Sequence, residues 1–365
     1  MKSIIHLTTS HRPTDTRILK RECVALSENR DYRVRLFNAF GMNDRFRDVD
    51  IVGFDRRRGR FGRYTISIFK AIFSVLREKP DLVHLHDPEL FFSVIFFKMR
   101  GIKVVVDIHE KFADKFTLRS WMPNILSPLF VRLFNLILQY VDRNADAIVV
   151  AAPFLLADFG YCRRISVRNL PDLQYIGEVE NTGPREENLI IYTGGLSEHR
   201  GIEPVIRALS GTSENWKLVI YGKRSPVVVE KLGELLNDSR IDYRGLAPFE
   251  EVVQAMQTAS VGVVCNEKGL GYENALPNKI FEYMAAGVAI VCTDFPEWKK
   301  LVEENQAGLT CNPHDAASVK NAIFSFLGSP AKISDAGKCG RRLVETEYSW
   351  ASEKLRLFEI YREIL

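Results

Sequence analysis

A chain of 365 residues, 46% hydrophobic and 26% charged, is long for a single core and has an ordinary globular composition without low-complexity tracts. Six cysteines (Cys23, Cys162, Cys265, Cys292, Cys311, Cys339) lack C-x-x-C or zinc-ligand spacing, which predicts reduced, buried thiols and a cytoplasmic protein. The net charge of +4 hides an asymmetry: residues 1–170 hold 29 Lys and Arg against 18 Asp and Glu, and residues 171–365 hold 21 against 28, as two domains with different partners would.

The first apolar run, at residues 3–9, reads as a strand and is too short for a signal segment, so no leader is expected. A helix is predicted over 15–28, with Leu19, Cys23 and Leu26 on one face, then a strand over 32–38. The run Arg56-Arg57-Arg58-Gly59-Arg60-Phe61-Gly62-Arg63-Tyr64 reads as a solvated loop or, with its interleaved aromatics, as an attractor of anionic lipid headgroups. Helix over 64–77, strand over 82–86, helix over 90–99, strand over 103–108, helix over about 126–141 and strand over 147–150 follow. The longest apolar stretches, 90–97 and 129–141, fall short of the roughly 20 residues of a membrane-spanning helix.

Repeated strand–helix–strand units call for parallel strands with right-handed crossovers. Pro171, Gly177, Gly183 and Pro184, among polar residues, mark a linker over 171–187, after which the alternation restarts. The fold class is therefore α/β: a Rossmann-like N-terminal domain over 1–170, a second over 188–348 and a final helix within 349–365. Such sheets bind ligands beyond the carboxyl ends of their strands, and a cleft between the domains is the expected site.

Three segments carry chemistry. In Tyr192-Thr193-Gly194-Gly195-Leu196-Ser197-Glu198-His199-Arg200-Gly201, a strand runs through paired glycines to a helix start, a place for anions, with Arg200 suited to a phosphate. In Glu273-Asn274-Ala275-Leu276-Pro277-Asn278-Lys279-Ile280-Phe281-Glu282, Pro277 opens a helix and Glu282 can accept two hydroxyl hydrogen bonds from a ribose. In the basic half, His84-Leu85-His86-Asp87 and Asp107-Ile108-His109-Glu110 close neighbouring strands, and there substrate contact, structural and metal roles all stay open. Residues 121–141, including Trp121, Met122, Leu126, Phe130, Leu133, Phe134 and Leu138, form an apolar stripe that suits a core or a lipid-facing surface.

Taken in order, His11-Arg12-Pro13-Thr14-Asp15-Thr16-Arg17, residues 84–89, 107–110 and 273–287, and Tyr348-Ser349-Trp350 resemble glycosyltransferase family 4 over nearly the whole chain. The resemblance implies a GT-B fold, two Rossmann-like domains facing each other across a cleft. It also implies a retaining transferase acting from a UDP- or GDP-sugar on a glycan or lipid-linked glycan, as in surface polysaccharide or lipopolysaccharide assembly. By matching, Arg200 neutralises the donor diphosphate, Glu282 binds the ribose and His109 lies near the transferred sugar, which makes His109 and Arg200 the catalytic candidates. Gly194, Gly195, Asn274, Asn278 and Lys279 complete the donor site, with His11, His86 and Asp87 on the acceptor side.

Two positions depart from the family pattern: Gly195 stands where a second cation is usual, and Asn274 where the first Glu of Glu-x7-Glu is. Lys279 is the candidate substitute for the missing cation. No metal, other cofactor or nucleic-acid partner is expected, and the basic half suits contact with the inner face of an anionic membrane. Alternatives are a nucleotide-sugar 2-epimerase, a metal-dependent hydrolase built on His84, His86, Asp87 and His109, and a non-catalytic nucleotide-sugar binder.

Overall fold

The computed structural model describes residues 1–54, 66–109, 127–177, 185–269 and 271–365, apart from the side chains of Ser127 and Asn274. The basic run at 56–64, Glu110, Trp121, Met122, Leu126 and linker residues 178–184 lie outside the described residues. The chain divides into two compact units, Met1–Asn169 with Ala351–Leu365, and Leu170–Trp350.

In the first unit the strands are β1 (Lys2–Thr8), β2 (Tyr32–Asn38), β3 (Asp44–Phe46), β4 (Val49–Gly53), β5 (Leu82–Leu85), β6 (Lys103–Ile108), β7 (Ala147–Val150) and β8 (Arg163–Ser166). They form one sheet in the order β3-β4-β2-β1-β5-β6-β7-β8, parallel except for the β3–β4 pair. The chain reverses its direction of winding between β1 and β5, where His6 pairs in register with His84. The period of two sends Ile5, Leu7, Val83, Leu85, Val104 and Val106 into an apolar core on one face. The other face receives His6, His84, His86 and Asp107, all fully buried.

Two elements cover that polar column. The helix expected over 15–28 is a π-helix over Thr16–Cys23 that passes into a short α-helix, Val24–Ser27. Its wider turn brings residues five apart onto one face, and Arg17 Nε lies 3.1 Å from Glu22 Oε1. The final helix, Trp350–Ile364, supplies buried Tyr361 and the fully buried Glu353, which accepts from the Arg168 backbone N–H at 2.7 Å and from its guanidinium.

The second unit has strands β9 (Leu189–Thr193), β10 (Lys217–Tyr221), β11 (Ile241–Gly245), β12 (Val261–Val264), β13 (Ala289–Thr293) and β14 (Gly308–Cys311), all parallel, in the order β11-β10-β9-β12-β13-β14. Both faces are apolar. Ile191, Val219 and Val264 enter one core, and Ile190, Tyr192, Leu218 and Val263 the other. Each buried large side chain contributes about 1.5–3 kcal/mol, which explains why these strands are nearly continuous apolar runs. The winding reverses between β9 and β12, so the loops after these two strands bound the ligand crevice of this unit.

Candidate active site

In the second unit the loop from Gly194 to Gly201 leaves the end of β9. Gly194 adopts φ +140°, and its neighbour across the loop, Gly222, is fixed as glycine by contact: a Cβ there would lie 1.8 Å from the Gly194 carbonyl oxygen. Gly201 (φ +84°) is held as tightly, since a Cβ would meet the Cys265 backbone at 2.2 Å, just beyond β12. The Tyr192 hydroxyl reaches the carbonyls of Gly195 (3.0 Å) and Arg200 (3.1 Å), so one buried phenol ties both ends of the loop. Tyr283 braces it from the helix Asn278–Ala285, accepting from the Thr193 N–H at 2.8 Å.

Lys279, in the first turn of that helix, places its ammonium 4.4 Å from the Tyr192 ring centroid and 3.8 Å from where a Gly194 Cβ would stand. Part of the residue meets solvent, but desolvation of the ammonium, reinforced by the Arg200 charge, lowers its pKa to about 7. Arg200 and Asn278 are exposed, and Glu282 is half-buried one turn along from Lys279. Asn274 closes a short 3-10 turn, Tyr272–Asn274. The unit thus offers a glycine-framed loop, two cations, a helix start and a carboxylate around the end of β9, an arrangement suited to a diphosphate and a hydroxylated ring.

In the first unit the centre is Asp107. Burial alone would favour its neutral form, but Arg17 donates through Nε (2.9 Å) and Nη2 (2.8 Å) to its two oxygens and drives its pKa well below the carboxylate range. Glu22, equally buried beside this anion, has its pKa pushed the other way, upward, by desolvation and by Asp107. His86 Nδ1 lies 3.2 Å from Asp107 Oδ2, His6 Nδ1 2.9 Å from His86 Nε2, and the Tyr361 hydroxyl 2.8 Å from His84 Nδ1 and 3.5 Å from His6 Nε2. Burial lowers the pKa of His6, His84 and His86, which stay neutral.

Two imidazoles at the strand ends keep an exposed edge. His109 Nε2 approaches Asp107 Oδ2 to 2.8 Å, and His11 Nδ1 approaches Asp87 Oδ1 to 2.9 Å; the two rings lie 4.8 Å apart. Burial works against a charged His11, but the Asp87 contact and the charges of Asp87, Asp15 and Asp107 outweigh it and raise its pKa.

The acceptor-side expectation needs correction for His86 and Asp87. Both are fully buried, and Asp87 Oδ2 is taken up by the Thr8 hydroxyl (2.8 Å) and the backbone N–H groups of Thr9 (2.6 Å) and Ser10 (3.2 Å). They shape the site and leave only His11 of the three able to meet a ligand. Two groups in this cluster have the residue types of a metal site. Ligand-type atoms of His6, Glu22, His84 and His86 lie within 4.8 Å of one another, as do those of His86, Asp107 and His109. In the first group the nitrogens of His6 and His86 face each other at 2.9 Å in a hydrogen bond.

Two family models match the chain. Residues 17–165 match the model described as Glycosyltransferase Family 4, and residues 187–329 the one described as Glycosyl transferases group 1. The chain belongs to glycosyltransferase family 4. Among curated relatives, a glycogen synthase of Mycobacterium tuberculosis is 21% identical over 78% of this chain and 69% of its own length. A GDP-mannose:cellobiosyl-diphosphopolyprenol alpha-mannosyltransferase of Xanthomonas oryzae pv. oryzae is 19% identical over 85% and 81%. Two solved structures share the GT-B fold over the whole chain. Sucrose-phosphate synthase from Thermosynechococcus elongatus has TM-score 0.77 at 17% identity, covering 100% of this chain and 99% of that one. Anabaena Alr3699/HepE, in complex with UDP and glucose, has TM-score 0.72 at 14% identity and covers 100% of both.

Several residues that build the site of this glycosyltransferase escaped the sequence motifs, namely Gly222, His6, Glu22 and Tyr361, while Tyr192 and Tyr283 stood inside the motifs without a role. Only His6 carried a signal, a polar ring inside the apolar first strand. Its buried neighbour His84 generates a prediction. With a folded pKa below 6.5, His84 withholds a proton that the unfolded chain takes up, so its contribution to stability is full above about pH 6.5 and is lost on acidification. His84→Gln removes that titration. The stability gap between wild type and variant, measured by denaturant unfolding, should narrow by up to about 1.4 kcal/mol per pH unit below pH 6.5; a gap constant from pH 7 to 5 would contradict the neutral assignment.

Proposed function

We propose that this glycosyltransferase is a retaining enzyme that moves a hexose-like sugar from a UDP- or GDP-sugar to a glycan or lipid-linked glycan during surface polysaccharide or lipopolysaccharide assembly. The observation that carries the donor half is the pair of cations, Arg200 and Lys279, beside the Gly194–Gly201 loop, with Glu282 one helical turn beyond. Lys279, whose ammonium lies 3.8 Å from where a Gly194 Cβ would stand, supplies the second cation, so the clamp draws on two elements instead of one loop. Arg200, Lys279 and the start of the Asn278–Ala285 helix meet the charge that develops as the nucleoside diphosphate departs, without a metal. Glu282 takes the ribose hydroxyls, and within the first unit His11 and His109 offer partly exposed imidazoles of the kind that meet sugar hydroxyls. The Xanthomonas relative, named for a GDP-mannose donor and a diphosphopolyprenol acceptor, and the HepE structure, in complex with UDP-glucose, support this donor and acceptor class.

A lipid-linked acceptor agrees with the outer face of the first unit. Phe69 and Phe73 of the helix Ile66–Glu78, Phe96 and Met99 around Val94–Lys98, and Leu129 and Leu133 of Ser127–Asn144 are all exposed. Ring contacts Phe69–Phe92 (6.4 Å) and Phe92–Phe96 (6.3 Å) make the patch continuous across the first two helices. Exposed Lys70, Arg77, Arg100 and Arg132 stand among these side chains. Glu78 is engaged by Arg35, and Asp142 by the backbone N–H groups of residues 160–162. A cavity of about 510 Å³ at one edge adds Lys2, Lys79 and Lys103 to Arg100. An apolar face ringed by cations fits the inner leaflet of an anionic bilayer. Among the described residues no helix is long and apolar enough to cross a membrane.

Three outcomes are expected. Incubation with UDP- and GDP-sugars and a lipid-linked glycan fraction should release nucleoside diphosphate and give a product whose NMR coupling shows the donor's anomeric configuration; inversion, or a free 2-epimer, would contradict the reading. Because an anionic diphosphate favours charged Lys279, binding of an intact nucleotide-sugar should take up a proton, and its affinity should fall as pH rises from about 6.5 to 8.5. Calorimetry in buffers of different ionisation heat measures this, and Lys279→Arg should abolish it; a pH-independent affinity in wild type refutes the role. Finally, the protein should float with phosphatidylglycerol vesicles and not with phosphatidylcholine alone, and Phe73→Ser combined with Leu133→Ser should release it. Equal binding to both lipids, or by the double variant, would remove the membrane face.

A further inference from the structure

Parallel strands give a sheet two unlike ends, and the histidines of the first unit occupy only the end where the strands finish. Lys103 opens β6 and Ile108 closes it, so the strand starts lie a full strand length away from His109. At that far end the cavity of about 510 Å³ is lined by Lys2, Lys79, Arg100, Lys103 and Asp81, with Leu76 and Ile102 as apolar walls. Its volume is that of a small-ligand site.

The charges around it do not cancel. Asp81, just before β5, accepts from the Ser3 N–H at 2.8 Å and lies 3.6 Å from the Lys2 ammonium. Asp146 holds Lys103 at 3.2 Å and Lys98 at 2.7 Å. These two acids are answered, whereas among the described residues Lys79 and Arg100, both exposed, have no ion-pair partner. Lys79 follows the last turn of Ile66–Glu78 with φ +46°, a left-handed conformation that glycine adopts freely and a residue with a Cβ does not. Glycine would suit that turn better, and what lysine adds is an ammonium at the cavity.

Apolar surface continues from the same place. Phe73 stands one turn before Leu76 on its helix, and Met99 immediately before Arg100; they are 67% and 76% exposed. We infer that this cavity binds the phosphodiester headgroup of an anionic phospholipid, with Lys79 and Arg100 on the phosphate and the acyl chains leaving over Met99 and Phe73. The inference deepens the membrane reading above and rests on it for the source of the ligand. Arg100 can offer two parallel donors to phosphate oxygens, and Lys79 a point charge. Phosphatidylcholine carries a quaternary ammonium beside its phosphate, which the four cations of the lining repel.

The probe is dihexanoyl phosphatidylglycerol, kept below its micelle concentration so that no charged surface forms. It is titrated into the whole chain and followed by the amide NMR signals of Gly101, Ile102 and Lys103. Wild type should show saturable shifts there with this lipid and none with dihexanoyl phosphatidylcholine. Lys79→Gly combined with Arg100→Gln should weaken the apparent affinity at least about tenfold, the scale of two lost charge-assisted contacts. Both positions are exposed and glycine suits the turn at 79, so this variant keeps the fold. Lys70→Gln combined with Arg132→Gln removes the same charge from the unit outside the cavity and should leave the affinity unchanged. Equal losses in the two double variants, an equal response to both lipids, or no saturable shift would overturn the inference. Inorganic phosphate binding as tightly as the lipid would overturn it too, leaving an anion site without a membrane role. The two readings fail separately. Flotation on phosphatidylglycerol vesicles with no shift at 101–103 sinks the cavity and keeps the membrane face, while shifts at 101–103 without flotation sink the membrane face and keep the cavity.

Discussion

A carboxylate with no access to water keeps its charge only where something answers it, and at Asp107 the answer is Arg17, bound through two nitrogens. Removing either partner from such a buried pair typically costs about 3–5 kcal/mol, a large share of a domain's stability. Much of the first unit follows from accommodating this pair. The π-helix gives Arg17 and Glu22 a shared face, burial and the neighbouring anion raise the pKa of Glu22, and burial lowers that of three histidines packed beside them. The sheet face that would otherwise be a second apolar core becomes a hydrogen-bonded column ending at Asp107.

The second unit solves a different problem, holding cations together without a ligand to neutralise them. Arg200 stays exposed, where water screens it, while Lys279 is tucked against the Tyr192 ring and gives up part of its charge instead. A cation poised near neutrality is inexpensive to hold in the free protein and gains its proton when an anion arrives. The same ring carries the hydroxyl that ties the loop at Gly195 and Arg200, so the cation's seat and the loop's shape share one residue.

The fold class was legible because parallel strands buried on both faces leave continuous apolar runs, as in β9, β10, β12 and β13. The edge strands β3, β8, β11 and β14 were not, since an edge is half-solvated and reads as polar: β8 is Arg163-Arg164-Ile165-Ser166. The proposed donor-site residues at 194–201 and 278–282 were visible because each group is contiguous in the chain. The column was visible only in part. His84, His86 and Asp107 stood at strand ends, but Tyr361 lies 277 residues from the His84 ring it meets, and no local pattern announces such a contact. Burial also reversed a reading: His86 and Asp87 have the residue types of ligand contacts and the surroundings of supports.

The central claim is that the second unit binds a nucleotide-sugar through Lys279, Arg200 and Glu282 without a metal. The most direct measurement is thermal unfolding in EDTA against a panel of UDP- and GDP-sugars, because a ligand that binds only the native state raises its stability. One nucleotide base should raise the transition of wild type, and the shift should shrink in both Lys279→Ala and Glu282→Ala. No shift with any nucleotide, or an undiminished shift in both variants, would contradict the account.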